Sequence, residues 1–475
     1  MSIFTRLEKK KRPAMMNQMA QNCLQAFRQV LVEVSPTNVV KKALILNGDV
    51  LRVRNCTYQL NNNVKLVGVG KAAHDMIVGA EHVLGGHVQE GIAAVPIGTK
   101  VSPGLKTRFL QGAKDNLPDQ ASLDNTQEII KFIENCDHKA DKIFLFLISG
   151  GASALLSAPV AGITLEDKYQ TIRLMASHGL DIKEMNTVRI ALSEVKGGGL
   201  ARKLGPAKGI SLIMSDIVGG EIDKVGSGPT VLQSRNLTEA ARILDTRGLW
   251  DQLPSTVREA LQKPEKILSD DGIQIQNELI SDNQLLLQSI KSNLEGQGIP
   301  TVIVNHALEG NAKNVGEKFA EFVEKWDNGN EIKPPFGQFN LKIQPGGASL
   351  ALLYGGETTV SFPKILEKEN PKGGRNQEMV LAFLYYLKKS KMLQEKRFVF
   401  MSLGSDGQDG PTDATGAYIC SEDITAEGCD EDEIEFCLDN KNSYEFWSNF
   451  LGGDRLVKTG KTGNNLMDVQ LLILA

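Results

Sequence analysis

One pattern recurs along this chain: a short apolar run, a glycine-rich turn and an amphipathic helix. VKLVGVG leads through Lys71 into AAHDMIVGAEHVL, and KIFLFLI leads into SGGASALLSAP. Short apolar runs that alternate with such helices predict parallel sheets covered by helices on both faces. The sequence therefore predicts an α/β fold.

The same alternation continues on both sides of a break. GISLIMS precedes the break, and the strands PTVIVN, ASLALLY, RFVFMSL and VQLLIL follow it, with helices between them. The break, residues 251 to 272, contains two prolines and many charges, as a domain linker does. We predict two doubly wound, Rossmann-like α/β/α domains, at 15–262 and 273–475. It stays open whether the final strand returns to the first domain.

Composition narrows the classes of partner. The 53 basic and 57 acidic residues give a net charge of −4, so binding to nucleic acid is not expected. No apolar run has membrane-spanning length, so no membrane partner is expected. The scattered cysteines without a CxxC pair favour a reducing compartment. We predict a cytoplasmic protein; a mitochondrial presequence is the alternative, against which Glu8 and the scarcity of serine count.

Ligands of open α/β sheets bind outside the carboxyl ends of the strands, where the glycine turns fall. Lys71 in GVGKAA opens a helix, where backbone N–H groups favour anions. GVGKAA lacks the spacing of a P-loop, and Ala73 replaces the third glycine of the dinucleotide-binding fingerprint. SGGASA, from Ser149 to Ala154, repeats the arrangement and suits phosphate or carboxylate. The alternative is a tight turn with a serine N-cap.

Carboxylates follow two of the predicted strands. The loop GSDGQDGPTDATG carries Asp406, Asp409 and Asp413, and Asp216 follows GISLIMS. Carboxylate oxygens are the ligands of Mg²⁺, and a carboxylate at a strand end also suits proton transfer. The alternative is a solvated acidic turn.

Two segments carry cations. In NTVRIALSEVKGGGLAR, Asn186, Arg189, Ser193 and Lys196 have spacings of three to four, which predicts one polar helix face suited to an anionic substrate. The alternative is a solvent-exposed face. In GGRNQEMV, Arg375 begins a helix, and its guanidinium suits bidentate binding of phosphate or carboxylate. Helix capping alone is the alternative there.

Together these loops supply anion-binding turns, several cations and strand-end carboxylates, which are the parts that phosphoryl transfer requires. The motifs GVGKAA, SGGASALL, NTVRIALSEVKGGGLA, GSGPT, GGETTV, GGRNQE, SDGQDGPTDATGA and TGKTGNNLMD follow one another along nearly the whole chain. In this order they resemble the class II glycerate 2-kinases with a MOFRL-type C-terminal domain, and GAKDNLPD resembles the animal members. Two positions depart from the family pattern TGPTGTN: Lys461 and Asn464.

The resemblance implies ATP-dependent phosphorylation of D-glycerate on its 2-hydroxyl, with Mg²⁺, in a cleft between the two domains. It also implies a place in serine and fructose catabolism, and it puts Lys71 and Arg375 in the active site. The hydroxypyruvate reductases and the non-catalytic sugar-acid-binding proteins are the alternative classes. The sequence does not distinguish a monomer from a homodimer.

We assign four groups of residues on this basis. The predicted catalytic residues are Lys71, Asp216, Arg375 and Asp406. The predicted substrate-binding residues are Lys71, Asn186, Arg189, Lys196, Arg375, Asn376 and Glu378. The predicted nucleotide-binding residues are Ser149, Gly150, Gly151, Ala152, Ser153, Gly226, Ser227, Gly228, Glu357 and Thr358. The predicted Mg²⁺ ligands are Asp216, Asp406, Asp409 and Asp413, one of which would accept the hydroxyl proton.

Overall fold

The structure is a computed structural model that describes residues 15–264, 270–326, 331–342, 349–362, 370–390 and 396–475. The basic N-terminal segment lies outside these residues. The helices are α1 (Met15–Glu33), α2 (Pro36–Ala43), α3 (Ala73–Leu84), α4 (Gln120–Glu134), α5 (Ala152–Leu155), α6 (Leu165–Ser177), α7 (Ile182–Ala191), α8 (Gly199–Arg202), α9 (Leu237–Thr246), α10 (Ser255–Gln262), α11 (Asn283–Gly296), α12 (Ala312–Lys325), α13 (Arg375–Lys389), α14 (Glu431–Asp439) and α15 (Ser443–Asn449). No described helix is long and apolar enough to cross a membrane.

Within the described ranges, the strands pair into four sheets. They are β1 (Ile45–Asn47), β2 (Val50–Val53), β3 (Cys56–Gln59), β4 (Val64–Val69), β5 (Val88–Pro96), β6 (Thr107–Gly112), β7 (Ile143–Ile148), β8 (Lys208–Met214), β9 (Gln274–Ser281), β10 (Thr301–Leu308), β11 (Glu331–Ile332), β12 (Leu341–Lys342), β13 (Leu350–Gly356), β14 (Phe398–Gly404), β15 (Gly416–Cys420), β16 (Leu456–Val457) and β17 (Asp468–Leu474). Two sheets have six strands each, and β1–β2–β3 and β11–β12 form two small ones.

The chain divides into two compact units. The N-terminal unit is Glu33–Asp282 with Gly463–Leu466, and the C-terminal unit is the described chain up to Val32, Asn283–Thr462 and Met467–Ala475. These bounds differ from the predicted ranges. Helix α1 packs with the C-terminal unit, where the Gln21 amide donates a hydrogen bond to the Tyr418 hydroxyl at 2.9 Å. Residues 274–281, which the predicted boundary assigns to the second domain, form strand β9, which pairs with β8 and so belongs to the N-terminal unit.

The large sheet of the N-terminal unit has the order β6-β5-β4-β7-β8-β9, and every neighbouring pair is parallel. Successive side chains of a strand point to opposite faces of the sheet, and helices cover both faces. Val67 packs in the apolar cluster of α4, whereas Gly68 lies against Ile77 of α3. Helices α6, α7, α9 and α10 form a separate apolar cluster of the same unit. This sheet confirms the predicted parallel α/β architecture.

The large sheet of the C-terminal unit is mixed, with the order β10-β13-β17-β14-β15-β16. Among its described strands, only β10 and β13 pair in parallel; β17 is antiparallel to both β13 and β14. Strands β13 and β14 flank α13 in sequence as in a βαβ unit, but the last strand of the chain is inserted between them. The prediction of an α/β fold is confirmed, and the prediction of an entirely parallel second sheet is corrected. The final strand stays in this unit.

Helices also cover both faces of the mixed sheet. Helices α12 and α13 pack with Leu352, Phe400 and Leu472 in one large apolar cluster. Helix α11 lies on the other face, where the Asn283 side chain contacts Gly355 closely enough that a Cβ there would be 1.9 Å from Asn283 Oδ1.

Candidate functional site

In the N-terminal unit, three neighbouring parallel strands end beside one another. Strands β4, β7 and β8 are followed by Lys71, Ser149 and Asp216. The backbone N–H of Lys71 donates to the Gly150 carbonyl at 2.9 Å, and the N–H of Ala72 donates to Ser149 Oγ at 3.0 Å. These bonds fix the two glycine turns side by side.

The glycines of the second turn make this approach sterically feasible. A Cβ on Gly150 would lie 1.9 Å from Asp216 Oδ2, and a Cβ on Gly151 would lie 2.9 Å from Lys71 Cγ. Gly151 also has φ +81°, which L side chains rarely adopt. The residues that line the small pocket here are Lys71, Ala72, Ser149, Gly150, Met214, Asp216, Gly463, Asn464 and Asn465. The structure therefore brings together Lys71, the SGG turn and Asp216, as the strand-end argument predicts.

The predicted polar helix face does not extend to Lys196. Helix α7 ends at Ala191, and Ser193 forms an isolated β-bridge, so Ser193 and Lys196 lie beyond the helix. The Lys196 ammonium instead donates to Ser153 Oγ at 3.0 Å and to the Gly226 carbonyl at 3.1 Å. A residue predicted to bind substrate thus contacts two residues predicted to bind nucleotide.

Burial changes the electrostatics around Lys196. Lys168 and Lys196 are each 3% exposed, and Arg189 is half-buried. Burial, together with the charge of Arg189, lowers the pKa of Lys168 to about 8. Burial also lowers the pKa of Lys196, reinforced by the charges of Lys168 and Arg189. Asn186 contacts the neighbouring turn, because Ser227 Oγ lies 3.3 Å from Asn186 Oδ1.

In the C-terminal unit, Arg375 begins α13 and forms two ion pairs. Its Nε and Nη2 atoms lie 2.5 and 3.0 Å from the carboxylate oxygens of Asp468, and its Nη1 lies 2.7 Å from Glu357 Oε1. Burial raises the pKa of Asp468 to about 6, while the Arg375 guanidinium holds it down. The Arg375 side chain is 28% exposed.

The three aspartates of the 404–416 loop take separate positions. Asp409 is 2% exposed, and its two oxygens accept the backbone N–H groups of Asn376 and Gln377 at 3.1 and 2.9 Å. It therefore satisfies the N-terminus of α13. Asp413 is exposed and pairs with Lys458 at 2.8 Å. Asp406 is half-buried and accepts the backbone N–H of Gln408 at 3.0 Å.

These positions bear on two predicted groups of residues, the Mg²⁺ ligands and the substrate-binding residues. In the ranges that the structure describes, no three His, Cys, Asp or Glu side chains are grouped to hold a metal ion. Asn376 and Glu378 are 1% and 2% exposed, and Glu378 pairs with Lys441 at 3.1 Å. Both side chains therefore anchor α13 inside its unit. Thr358, predicted to bind nucleotide, is also buried, at 2%.

Sequence reasoning missed Lys168 and Asp468. Asp468 stands in the quoted motif TGKTGNNLMD, directly before an apolar run, and a carboxylate at that place indicates a buried partner. Lys168 lies in LEDKYQTIRLMAS, which has the pattern of an ordinary amphipathic helix, so no local pattern distinguishes it from a surface lysine.

Comparisons with known proteins agree with this architecture. Residues 22–262 match the family model described as Domain of unknown function (DUF4147), and residues 350–468 match the MOFRL family. Human glycerate kinase is 34% identical over 498 residues, covering 96% of this chain and 93% of the human protein. Glycerate 2-kinase of Pyrococcus horikoshii is 30% identical over 460 residues, covering 95% of this chain and 96% of that protein.

A solved structure extends the likeness to three dimensions. The crystal structure of glycerate kinase from Thermotoga maritima has a TM-score of 0.77 and 28% identity, covering 97% of this chain and all of that chain (100%). The fold and the two matched regions define the class of α/β proteins in which a DUF4147 region precedes a MOFRL region. Within that class, the chain belongs to the glycerate kinase family. The resemblance inferred from the motifs is confirmed.

Proposed function

We propose that this protein is an ATP-dependent kinase that phosphorylates D-glycerate on its 2-hydroxyl to give 2-phospho-D-glycerate. The observation that carries the proposal is the arrangement of Lys71, the SGG turn and Asp216 at the ends of β4, β7 and β8. A cation, a close-approach glycine turn and a carboxylate at one sheet edge are the parts that bind an anionic substrate and transfer a proton.

The residues of this sheet edge divide the chemistry as follows. The Lys71 ammonium is exposed at the helix N-terminus of α3 and binds the carboxylate of glycerate. Asp216 accepts the proton of the 2-hydroxyl as that oxygen attacks the γ-phosphorus atom of ATP. The bond to the β–γ bridging oxygen breaks, and ADP leaves. The leaving ADP gains negative charge, and the carboxylate of Asp216 cannot neutralise it. Cations must therefore neutralise the phosphates.

In the C-terminal unit, Mg²⁺ fits the edge beside Gly404. A Cβ on Gly404 would lie 3.3 Å from Asp406 Oδ1 and 3.4 Å from Asp468 Oδ1, so two carboxylate oxygens flank a glycine without a side chain. Mg²⁺ is usually held by one or two carboxylates together with phosphate oxygens and water. Asp406 is the proposed ligand, because Asp409 and Asp413 are engaged with α13 and Lys458. The bound ion would neutralise charge on the phosphates.

Arg375 is the proposed phosphate or carboxylate ligand of the C-terminal unit. Its ion pairs with Asp468 and Glu357 orient the guanidinium, and the Arg375 side chain remains partly exposed.

The six cysteines are free thiols, which supports a reducing compartment such as the cytoplasm.

The test is a kinase assay on the purified full-length chain with D-glycerate, ATP and Mg²⁺. We expect ADP release and a product that enolase converts directly, because enolase requires the 2-phosphate. Lys71→Ala should lower kcat/KM for glycerate at least about a hundredfold, as expected for the loss of a charged contact to a bound anion. Lys131→Ala is the matched control, because Lys131 is an exposed lysine of α4 that pairs with Glu128.

Three outcomes would contradict the proposed activity, and a fourth would contradict the role of Lys71. Absence of phosphorylation of either glycerate enantiomer would refute the kinase. Oxidation of NADH or NADPH with hydroxypyruvate would favour a reductase. Glycerate binding in a calorimeter without any ATP turnover would favour a sugar-acid-binding protein. Equal kcat/KM for Lys71→Ala and wild type would remove Lys71 from the site.

A further inference from the structure

Three cations of the N-terminal unit form what we call the cation cluster: Lys168, Arg189 and Lys196. Lys168 Nζ is buried and has no hydrogen-bond partner among the described residues. The charged groups that act on Lys168 and Lys196 are members of the cluster itself, and no carboxylate is among them. The cluster is therefore a concentration of like charge without a counter-ion in the described part of its unit.

Such an arrangement lowers the stability of the protein when no anion is bound. An ammonium taken out of water without a hydrogen-bond acceptor loses solvation free energy that no protein contact replaces. Like charges nearby add repulsion. Lys196 recovers part of this loss through Ser153 and the Gly226 carbonyl, but Lys168 does not. A bound polyanion would supply the missing acceptors.

We propose that the cation cluster binds the polyphosphate chain of the nucleotide, an inference that rests on the proposed kinase function. Lys196 already touches Ser153 and Gly226, in the two glycine-containing turns assigned to nucleotide binding. A triphosphate carries enough negative charge to balance three cations, whereas the single carboxylate of glycerate does not. Arg189 and Lys196 are thereby reassigned from glycerate to nucleotide, and Lys168 is added to the site.

The test uses inorganic tripolyphosphate with the full-length chain in a phosphate-free buffer without Mg²⁺. Affinity is measured by isothermal titration calorimetry, and the thermal midpoint is measured with and without the anion. The variants are Lys168→Met and Arg189→Gln. The second variant changes a half-buried side chain, so it stays informative if the first fails to fold.

Lys65→Met is the matched control. Lys65 is also a buried lysine, at 6% exposure, but its ammonium is paired with Glu90 Oε1 at 2.5 Å. Removing it should lower the thermal midpoint of the anion-free protein and leave the affinity for tripolyphosphate unchanged. Removing the unpartnered Lys168 should instead raise the thermal midpoint of the anion-free protein and weaken the binding of tripolyphosphate.

We expect Lys168→Met to raise the thermal midpoint of the anion-free protein and to weaken tripolyphosphate binding at least tenfold, with a similar weakening for Arg189→Gln. Equal affinity of wild type and both variants, or no binding to the wild type, would overturn the proposal. Because this readout needs no turnover, a chain that binds tripolyphosphate but transfers no phosphoryl group would refute the kinase and not the anion site. KM for glycerate in active variants should stay within twofold.

Discussion

The buried carboxylate of Asp468 allows the contribution of one ion pair to the stability of the protein to be tested. It is fully buried, and two of its contacts hold the Arg375 guanidinium at the start of α13. Truncation to alanine would leave a largely buried arginine that keeps its ion pair with Glu357 but loses the one with Asp468. We expect Asp468→Ala to lower the free energy of unfolding by about 3 kcal/mol, as measured by urea denaturation.

Asp413→Ala is the comparison for that variant. Asp413 also pairs with a cation, Lys458, but the pair is exposed to solvent on both sides. An exposed pair contributes less than about 1 kcal/mol. Equal losses of stability for the two variants would show that burial of Asp468 is not what makes its ion pair important.

Lys168 gives a second residue-scale prediction, on pH. Its pKa is lowered by burial to about 8 in the folded chain, from 10.5, so between these values the unfolded chain binds more protons. The free energy of unfolding should therefore rise with pH across that window, and the cost carried by Lys168 should be fully present below pH 8. The charged groups that act on it are Arg189 and Lys196, which the Lys168→Met variant retains.

The measurement is urea denaturation of the anion-free protein at several pH values across that window. The wild type should gain up to about 3 kcal/mol relative to Lys168→Met between the two ends, following from the size of the pKa change. Parallel pH profiles for the two proteins would contradict the assignment of Lys168 as a buried, charged group.

At the residue scale, sequence reasoning located side chains that follow apolar strands. Lys71 and Asp216 were predicted from their place after β4 and β8, and the structure brings them to one sheet edge. Their catalytic roles stay a prediction. Lys168 and Asp468 could not be found in the same way. What distinguishes them is their burial: Lys168 has no hydrogen-bond partner for its ammonium among the described residues, whereas Asp468 is paired with Arg375. That property depends on residues distant in sequence.

At the scale of elements, the close crossing of α12 and α13 can be tested at a glycine. A Cβ on Gly316 would lie 2.2 Å from the Met379 carbonyl oxygen, so the helices must separate to admit it. We expect Gly316→Ala to lower the free energy of unfolding by about 1–3 kcal/mol, the range for overpacking. Chemical denaturation monitored by circular dichroism measures this change.

Gly296→Ala controls for the intrinsic helix preference of alanine. Gly296 ends α11, and a Cβ added there would have no other atom within 4 Å among the described residues. Alanine there should be neutral or stabilising by up to about 1 kcal/mol. A loss of stability at Gly296 comparable to that at Gly316 would mean that the helix crossing is not the cause.

The sequence predicted the elements whose apolar runs are continuous, among them β4, β7, β8, β14 and β17. These strands are buried along their lengths, apart from the exposed Lys208 at the start of β8. It did not predict β9, since QIQNELIS is mostly half-buried at the edge of its sheet and shows no apolar run. The end of α7 was also missed. Spacing alone extended that helix to Lys196, although the chain leaves it at Ala191.

For the whole molecule, composition and pattern were enough to predict an α/β protein and two units, and the comparisons confirm its family. The path of the chain was not predictable. Residues 15–32 and the last strand belong to the same unit, and Gly463–Leu466 belongs to the other one. Segments exchanged in this way are specified by contacts such as that of Asn464 Nδ2 with the Val34 carbonyl at 2.8 Å.

The position of β17 has a consequence for synthesis on the ribosome. Strand β17 fills the centre of its sheet, between β13 and β14, yet it is translated after all the other described strands of that sheet. Until residues 468–474 emerge from the exit tunnel, β13 and β14 each present an unpaired edge, and such edges invite pairing with other nascent chains. The N-terminal unit has all six strands of its sheet once β9 has emerged. A stalled or shortened translation product would therefore retain one folded half and one half prone to aggregate.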